Sequence, residues 1–186
     1  VEPNPYERRS ARLLKYLPVR YPEQSEFPAE IWHYDAESIF VSDGKLYFIT
    51  KHRQPGELAE FEQGANLYRL DTAETESVNV LTRVDSHPRL TVVTGADLSP
   101  DGTRLAVVSA VGIWVFDRPE RGDQWFSSTP RGAMLDLRVT RQLEAVTWRD
   151  DETLLMTNEQ RDIYAVDVAS LPRLDPPYID TDARRR

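Results

Sequence analysis

Ser99-Pro100-Asp101-Gly102-Thr103-Arg104-Leu105-Ala106 decides how the rest of this chain is read. A four-residue turn signal runs straight into the apolar stretch Leu105-Ala106-Val107-Val108. Asp and Gly tolerate the backbone angles of a tight turn, so the pair joins two strands. Upstream lies Leu90 to Leu98; downstream come Gly112-Ile113-Trp114-Val115-Phe116-Asp117 and Met134 to Val139. Each run is short, rich in Val, Ile, Leu and aromatic residues, and bounded by Gly, Pro, Asp or Ser, which predicts strands.

The same order occurs twice more. Ser38 to Val41, the turn Asp43-Gly44, Lys45 to Thr50, a polar stretch from His52 to Gly64, Asn66 to Asp71 and Val78 to Thr82 form an earlier round. Leu143 to Trp148, the turn Asp150-Asp151, Thr153 to Thr157 and Asp162 to Asp167 form a later one. The turn aspartates stand at 43, 101 and 150, spacings of 58 and 49 residues. The third run of every round ends alike: Leu67-Tyr68-Arg69-Leu70-Asp71, Ile113-Trp114-Val115-Phe116-Asp117 and Ile163-Tyr164-Ala165-Val166-Asp167. Repeats of about 40 to 60 residues with four strands each predict an all-β chain of propeller blades. An ordinary β-sandwich is the plainer alternative. The reading gives an irregular segment over 1–30, blades at about 31–86, 87–140 and 141–170, and a polar tail over 171–186. In the first segment, residues 13–21 are expected to form one edge strand bent at Pro18, with a helix over Tyr6 to Leu14 as the runner-up. Alternation predicts Ile39, Val41, Leu46, Phe48, Leu105, Val107, Val146, Leu154, Met156 and Ile163 as core.

Composition narrows the function. The chain of 186 residues holds 31 acidic and 23 basic side chains, for a net charge of −8, which argues against a nucleic-acid partner. The absence of cysteine excludes disulfides, thiolate metal sites and thiol catalysis. No apolar run reaches the ~18 residues of a membrane span. Lysine occurs only at Lys15, Lys45 and Lys51, an arginine bias expected of a GC-rich genome. The first residue is Val1, so a processed, trimmed or excised chain is expected, and a periplasmic or secreted location is favoured over a cytoplasmic one.

Ser99 to Ala106 resembles the "SPDG(x)xLA" element of bacterial WD40-like repeats, as in TolB-type propellers. That resemblance implies architecture and says little of activity. Asp35-Ala36-Glu37-Ser38-Ile39 and Leu143-Glu144-Ala145-Val146 are similar to the start of innermost strands in esterase-like phytase, SdiA-regulated and gluconolactonase-type propellers. In some of those families a Glu here faces the central channel and helps to hold a divalent cation. The middle round departs from the pattern with Gly95-Ala96-Asp97.

Nucleophile-elbow, phosphate-loop and dinucleotide motifs are all missing from the sequence. Glu37 and Glu144, with Asp97 and Asn158, would make an oxygen-rich site suited to Ca²⁺. The plainer reading pairs each Glu with a neighbouring strand or with Arg141 or Arg161. The ligand-binding candidates are His33 and Asp35, just before an inner strand, with Arg141, and Trp125 as an exposed loop contact. His52 reads as a solvated loop residue and His87 as turn material. The leading expectation is a non-catalytic binding or scaffold module that offers one propeller face to a protein or small molecule; the alternative is a metal-dependent hydrolase. Three rounds also leave two blade faces open, so further blades of a longer chain, or a second copy, are expected against them.

Overall fold

The computed structural model describes residues 13–57 and 59–174. Its strands are β1 (Val19–Arg20), β2 (Trp32–Ser42), β3 (Lys45–Arg53), β4 (Phe61–Glu62), β5 (Ala65–Leu70), β6 (Asn79–Val80), β7 (Thr82–His87), β8 (Val93–Leu98), β9 (Arg104–Ser109), β10 (Gly112–Asp117), β11 (Arg131–Met134), β12 (Leu143–Trp148), β13 (Thr153–Asn158) and β14 (Ile163–Asp167). They form three main antiparallel sheets. Sheet I has the order β2-β3-β5-β7, with β4 added to β3; sheet II is β8-β9-β10-β11; sheet III is β12-β13-β14. β1 and β6 form a separate parallel pair.

The turns form as their residues dictate. Asp43 and Gly44 both take positive φ, 49° and 73°, and close the β2–β3 hairpin. At the equivalent turn of sheet II, Asp101 Oδ1 accepts from Ser99 Oγ, Thr103 N and Thr103 Oγ1. In sheet III, Asp150 Oδ1 accepts from the amides of Glu152 and Thr153. Of the aspartates ending each third strand, Asp167 accepts from Ala169 N in the turn that follows. Asp71 instead gathers Arg69, Lys45 and Thr82.

Strand register makes the three sheets equivalent. Phe48 pairs with Tyr68, Val107 with Trp114, and Met156 with Tyr164; Leu46 pairs with Leu70, Leu105 with Phe116, and Leu154 with Val166. Each sheet therefore has one face built from these residues and an opposite face built from their neighbours. Leu105, Val107, Trp114 and Phe116 of sheet II meet Phe40, Tyr47, Ile49 and Leu67 of sheet I in one core. Val146, Leu154 and Met156 of sheet III meet Ala106, Val108, Ile113 and Val115 of sheet II in the next. Every fully buried Leu, Val or Phe in these layers stabilises the stack by roughly 1.5–3 kcal/mol.

The same register corrects the expected core. Leu105, Val107, Val146, Leu154 and Met156 are buried, and Leu46 and Phe48 half-buried, but Ile39, Val41 and Ile163 are 55%, 58% and 70% exposed. Ile39 and Val41 lie on the face of sheet I turned away from sheet II, and Ile163 on the face of sheet III turned away from sheet II. Among the described residues nothing covers these three positions, so they are not core.

Other expectations shift locally. The edge strand shrinks to Val19–Arg20, beside Pro18, whose carbonyl accepts from Asn79 N at 2.8 Å. The runner-up helix lies mostly outside the described residues. The strand expected over Met134 to Val139 stops at Met134; Asp136 caps a single helical turn, α1 (Leu137–Thr140). Trp125 is not an exposed contact but 1% exposed core, in a 3₁₀ turn whose aromatic pair packs against Phe40 and Phe116. His87 is no turn filler: it ends β7, is 5% exposed, and its Nδ1 accepts from Arg89 N and Leu90 N.

A candidate binding pocket where three sheets converge

The inner strands β2, β8 and β12 share one irregularity. Pairing slips by a residue between Ala36 and Ser38, between Val93 and Gly95, and between Leu143 and Ala145. The extra residues are Glu37, Thr94 and Glu144. A β-bulge turns its extra side chain out of the regular alternation, a device common beside binding sites. Repeated on three strands, it sets three side chains at one level of the stack. The middle sheet's counterpart of the two glutamates is thus Thr94, not Asp97. Thr94 is buried and its Oγ1 donates to Leu143 O at 2.8 Å, tying sheet II to sheet III.

Glu37 and Glu144 line one pocket of about 560 Å³ with Lys51, Phe61, Gln142 and Glu159. Lys51 is opposite Asp35 in the β2–β3 ladder, with only 4% of its side chain exposed. Its Nζ lies 2.6 Å from Glu37 Oε2 and 3.8 Å from Asp35 Oδ2. A buried ammonium needs such partners, and here it neutralises Glu37. Arg53 Nε lies 2.6 Å from Asp35 Oδ2, and its guanidinium lies over the Phe61 ring at 4.5 Å. Glu144 accepts from Gln142 Nε2 at 2.5 Å and, among the described residues, has no cation bonded to it. Burial raises its carboxyl above the usual carboxylate range, and the charges of Glu159 and Glu37 add to the rise. The pocket wall therefore carries two cations already paired, Lys51 with Glu37 and Arg53 with Asp35, and, among the described residues, two carboxylates without a bonded cation, Glu144 and Glu159.

The remaining candidates have other places. Asp97 Oδ2 accepts from Thr147 Oγ1 at 2.9 Å and Trp148 N at 2.8 Å, while Trp148 Nε1 donates to Asp97 O; it is a clasp between sheets II and III. Asn158 is buried, with Nδ2 donating to Thr140 O and Asp162 Oδ2. Arg141 ends α1 with a positive φ of 53° and is exposed. Asp35 also lines a second pocket, of about 520 Å³, with Trp32, Tyr34 and Arg53. His33 stacks on His52, ring centroids 3.8 Å apart, and its Nε2 lies 3.0 Å from Glu62 Oε2. His52 is thus half-buried at the end of β3 rather than in a solvated loop; burial first, then the His33 charge, lowers its pKa to about 4. Gly64 passes so close that a Cβ there would sit 2.3 Å from His52 Nδ1. Among the described residues no three His, Asp or Glu side chains are grouped to hold a metal ion.

The pocket brings Glu37 and Glu144, expected together from the sequence, beside Lys51, Gln142 and Glu159, which the sequence did not single out as site residues. Lys51 offered one signal: a rare lysine in an arginine-rich chain, at the far end of the strand that follows Glu37. Antiparallel sheets stacked face to face in chain order, with their first strands side by side, are the arrangement of β-propeller blades. Residues 40–174, well over half of the chain, match the lipoprotein LpqB β-propeller domain, and the chain belongs to that family. No curated protein matches the sequence. Among solved structures, Kluyveromyces lactis Hsv2 is similar at 12% identity and a TM-score of 0.32, over 70% of this chain and 59% of that one. The chain thus spans less than two thirds of that protein.

Proposed function

We propose that the three sheets are three successive propeller blades and that the chain is a non-catalytic binding module whose ligand enters the pocket around Lys51, Glu37 and Glu144. One observation carries the reading: the same bulge on β2 and β12 delivers Glu37 and Glu144 into a single pocket, at the end of the stack where the inner strands begin. Among the described residues Glu144 and Glu159 have no bonded cation, which suits a ligand group bearing positive charge and hydrogen-bond donors. The family is named for a lipoprotein, which supports a cell-envelope location. Among the described residues no helix is long and apolar enough to cross a membrane.

A second reading has one observation in its favour. Glu37 and Glu144, the pair expected to bind a divalent cation, do share the pocket, and Ca²⁺ with hydrolytic chemistry is the alternative. Ca²⁺ takes six to eight oxygens, so Gln142, backbone carbonyls and water would have to complete its shell. Lys51 competes for Glu37. Thermal shift separates the readings, because a ligand that binds the native state raises the melting temperature by mass action. Wild type and Glu144→Gln are melted with arginine, with a polyamine, and with Ca²⁺ followed by EDTA. The binding-module reading expects stabilisation by an organic cation that the substitution abolishes. Stabilisation by Ca²⁺ alone, reversed by EDTA and lost in Glu144→Gln, would move the assignment to the metal reading.

A further inference from the structure

The repeat assembles the pocket from one set of positions per sheet. Just before each bulge, Ala36 is opposite Thr50, Val93 opposite Ser109, and Leu143 opposite Asn158. The residue after each second partner is therefore Lys51 in sheet I, Ala110 in sheet II and Glu159 in sheet III, and all three line the pocket. The bulge residues Glu37, Thr94 and Glu144 are a second such set. At one level of the stack the sheets thus differ in charge. Sheet I carries a cation with its own carboxylate, sheet II carries no charge, and sheet III carries two carboxylates.

Lys51 fixes this pattern. Its side chain is 4% exposed, with Nζ 2.6 Å from Glu37 Oε2, 3.8 Å from Asp35 Oδ2 and 5.7 Å from the centre of the Phe61 ring. Of 23 basic residues only three are lysines. A lysine ammonium is a compact point charge, closer to a metal ion among oxygens than a planar guanidinium is. Ca²⁺ collects six to eight oxygens, so a Ca²⁺ ion using Glu37 would stand beside the ammonium and be repelled by it. The sheet II wall is held in place as well. Val92 keeps a φ of 50°, a costly angle for a β-branched residue, and its carbonyl accepts from Ala110 N at 3.1 Å.

We propose that Lys51 is the specificity-determining residue of the pocket, a built-in cation that closes Glu37 to divalent metal ions and confines a ligand's positive charge to the sheet III side. The ligand class that follows is a single ammonium or guanidinium group on an uncharged stem, its head on Glu144 and Glu159 and its stem over Val92 and Ala110. The proposal rests on the reading of this pocket as the binding site and names what that site takes.

Calorimetric titration of the whole chain with Ca²⁺ alone reads the exclusion. Lys51→Met and Lys51→Gln remove the charge and are expected to bind Ca²⁺ at least tenfold more tightly than wild type. Adding Glu144→Gln to either is expected to abolish the gain. Lys51→Arg keeps the charge and is expected to gain nothing. Circular dichroism and melting check the fold of each variant, and Lys51→Gln retains a donor for Glu37 where Lys51→Met has none. Thermal shift with n-butylamine and 1,4-diaminobutane reads the ligand class. Wild type is expected to respond similarly to both, because one head is held, and the neutral variants to favour the diamine. Wild type binding Ca²⁺ as tightly as the folded neutral variants would overturn the proposal. A gain in Lys51→Arg equal to that in Lys51→Met would do so too, by making the exclusion steric. Loss of fold in both neutral variants would make Lys51 a structural residue and overturn it as well. A wild type silent to both amines would overturn the ligand class together with the binding-site reading, whereas the Ca²⁺ outcomes bear on Lys51 alone.

Discussion

His87 shows how much one side chain reports on its surroundings. Its ring lies against Phe116 and Phe126, and its Nδ1 accepts two backbone amides, so the neutral form is built into the fold. Burial, then the charge of Arg89, lowers its pKa from 6.5 to about 4. In the unfolded chain the same ring titrates near 6.5. Between those values the unfolded state binds more protons, so this contribution to stability is complete above pH 6.5 and is lost as the pH falls toward 4. After allowance for partial solvent screening the effect is about 2 kcal/mol. Urea unfolding near neutrality and near pH 4, on wild type and His87→Gln, measures it: the variant is expected to lose less stability on acidification. Equal losses would show that another group carries the acid sensitivity. In the sequence, His87 before Pro88 looked like turn material. Nothing local reveals that Phe116 and Phe126, which are distant in the chain, close over it.

At the scale of elements, the inner strands decide both packing and site. β8 carries Gly95 where β12 crosses it, and a Cβ there would lie 3.2 Å from Ala145 Cα, Val146 N and Val108 Cγ1. Two of those atoms are backbone and cannot swing aside. Gly95→Ala is therefore expected to destabilise the chain by about 1–3 kcal/mol through overpacking, seen as a lower urea midpoint. An unchanged midpoint would mean that sheets II and III do not approach as described. The strands, their turns and the repeat were legible because period-two alternation and Asp-Gly chemistry are local. The bulges were not, since an extra residue leaves no mark on composition; that is why Gly95-Ala96-Asp97 looked like the counterpart of the Glu37 segment when Thr94 is. The helical turn at Leu137–Thr140 escaped for a similar reason: its apolar residues fit a strand, and only the cap from Asp136, whose Oδ1 accepts from Arg138 N at 3.0 Å, tells otherwise.

Taken as a whole, the molecule is a β-propeller domain of the lipoprotein LpqB family whose repeats pack by one recurring pair of faces. Glu37 and Glu144 were legible because their segments repeat. Lys51 was not, because its importance comes from the β2–β3 register that sets it against Asp35 and from the bulge that swings Glu37 onto it. The central claim is that recognition happens in this pocket, and chemical-shift mapping of amide resonances tests it most directly. Titration with a library of small amine- and guanidinium-bearing compounds, beside neutral and acidic controls, locates the binding surface even while the natural ligand is unidentified. The account predicts that the cationic compounds perturb Glu37, Lys51, Gln142, Glu144 and Glu159 together, and that Glu144→Gln abolishes the response. Perturbations gathered instead at the opposite end of the stack, around the turns at Asp43, Asp101 and Asp150, would contradict it.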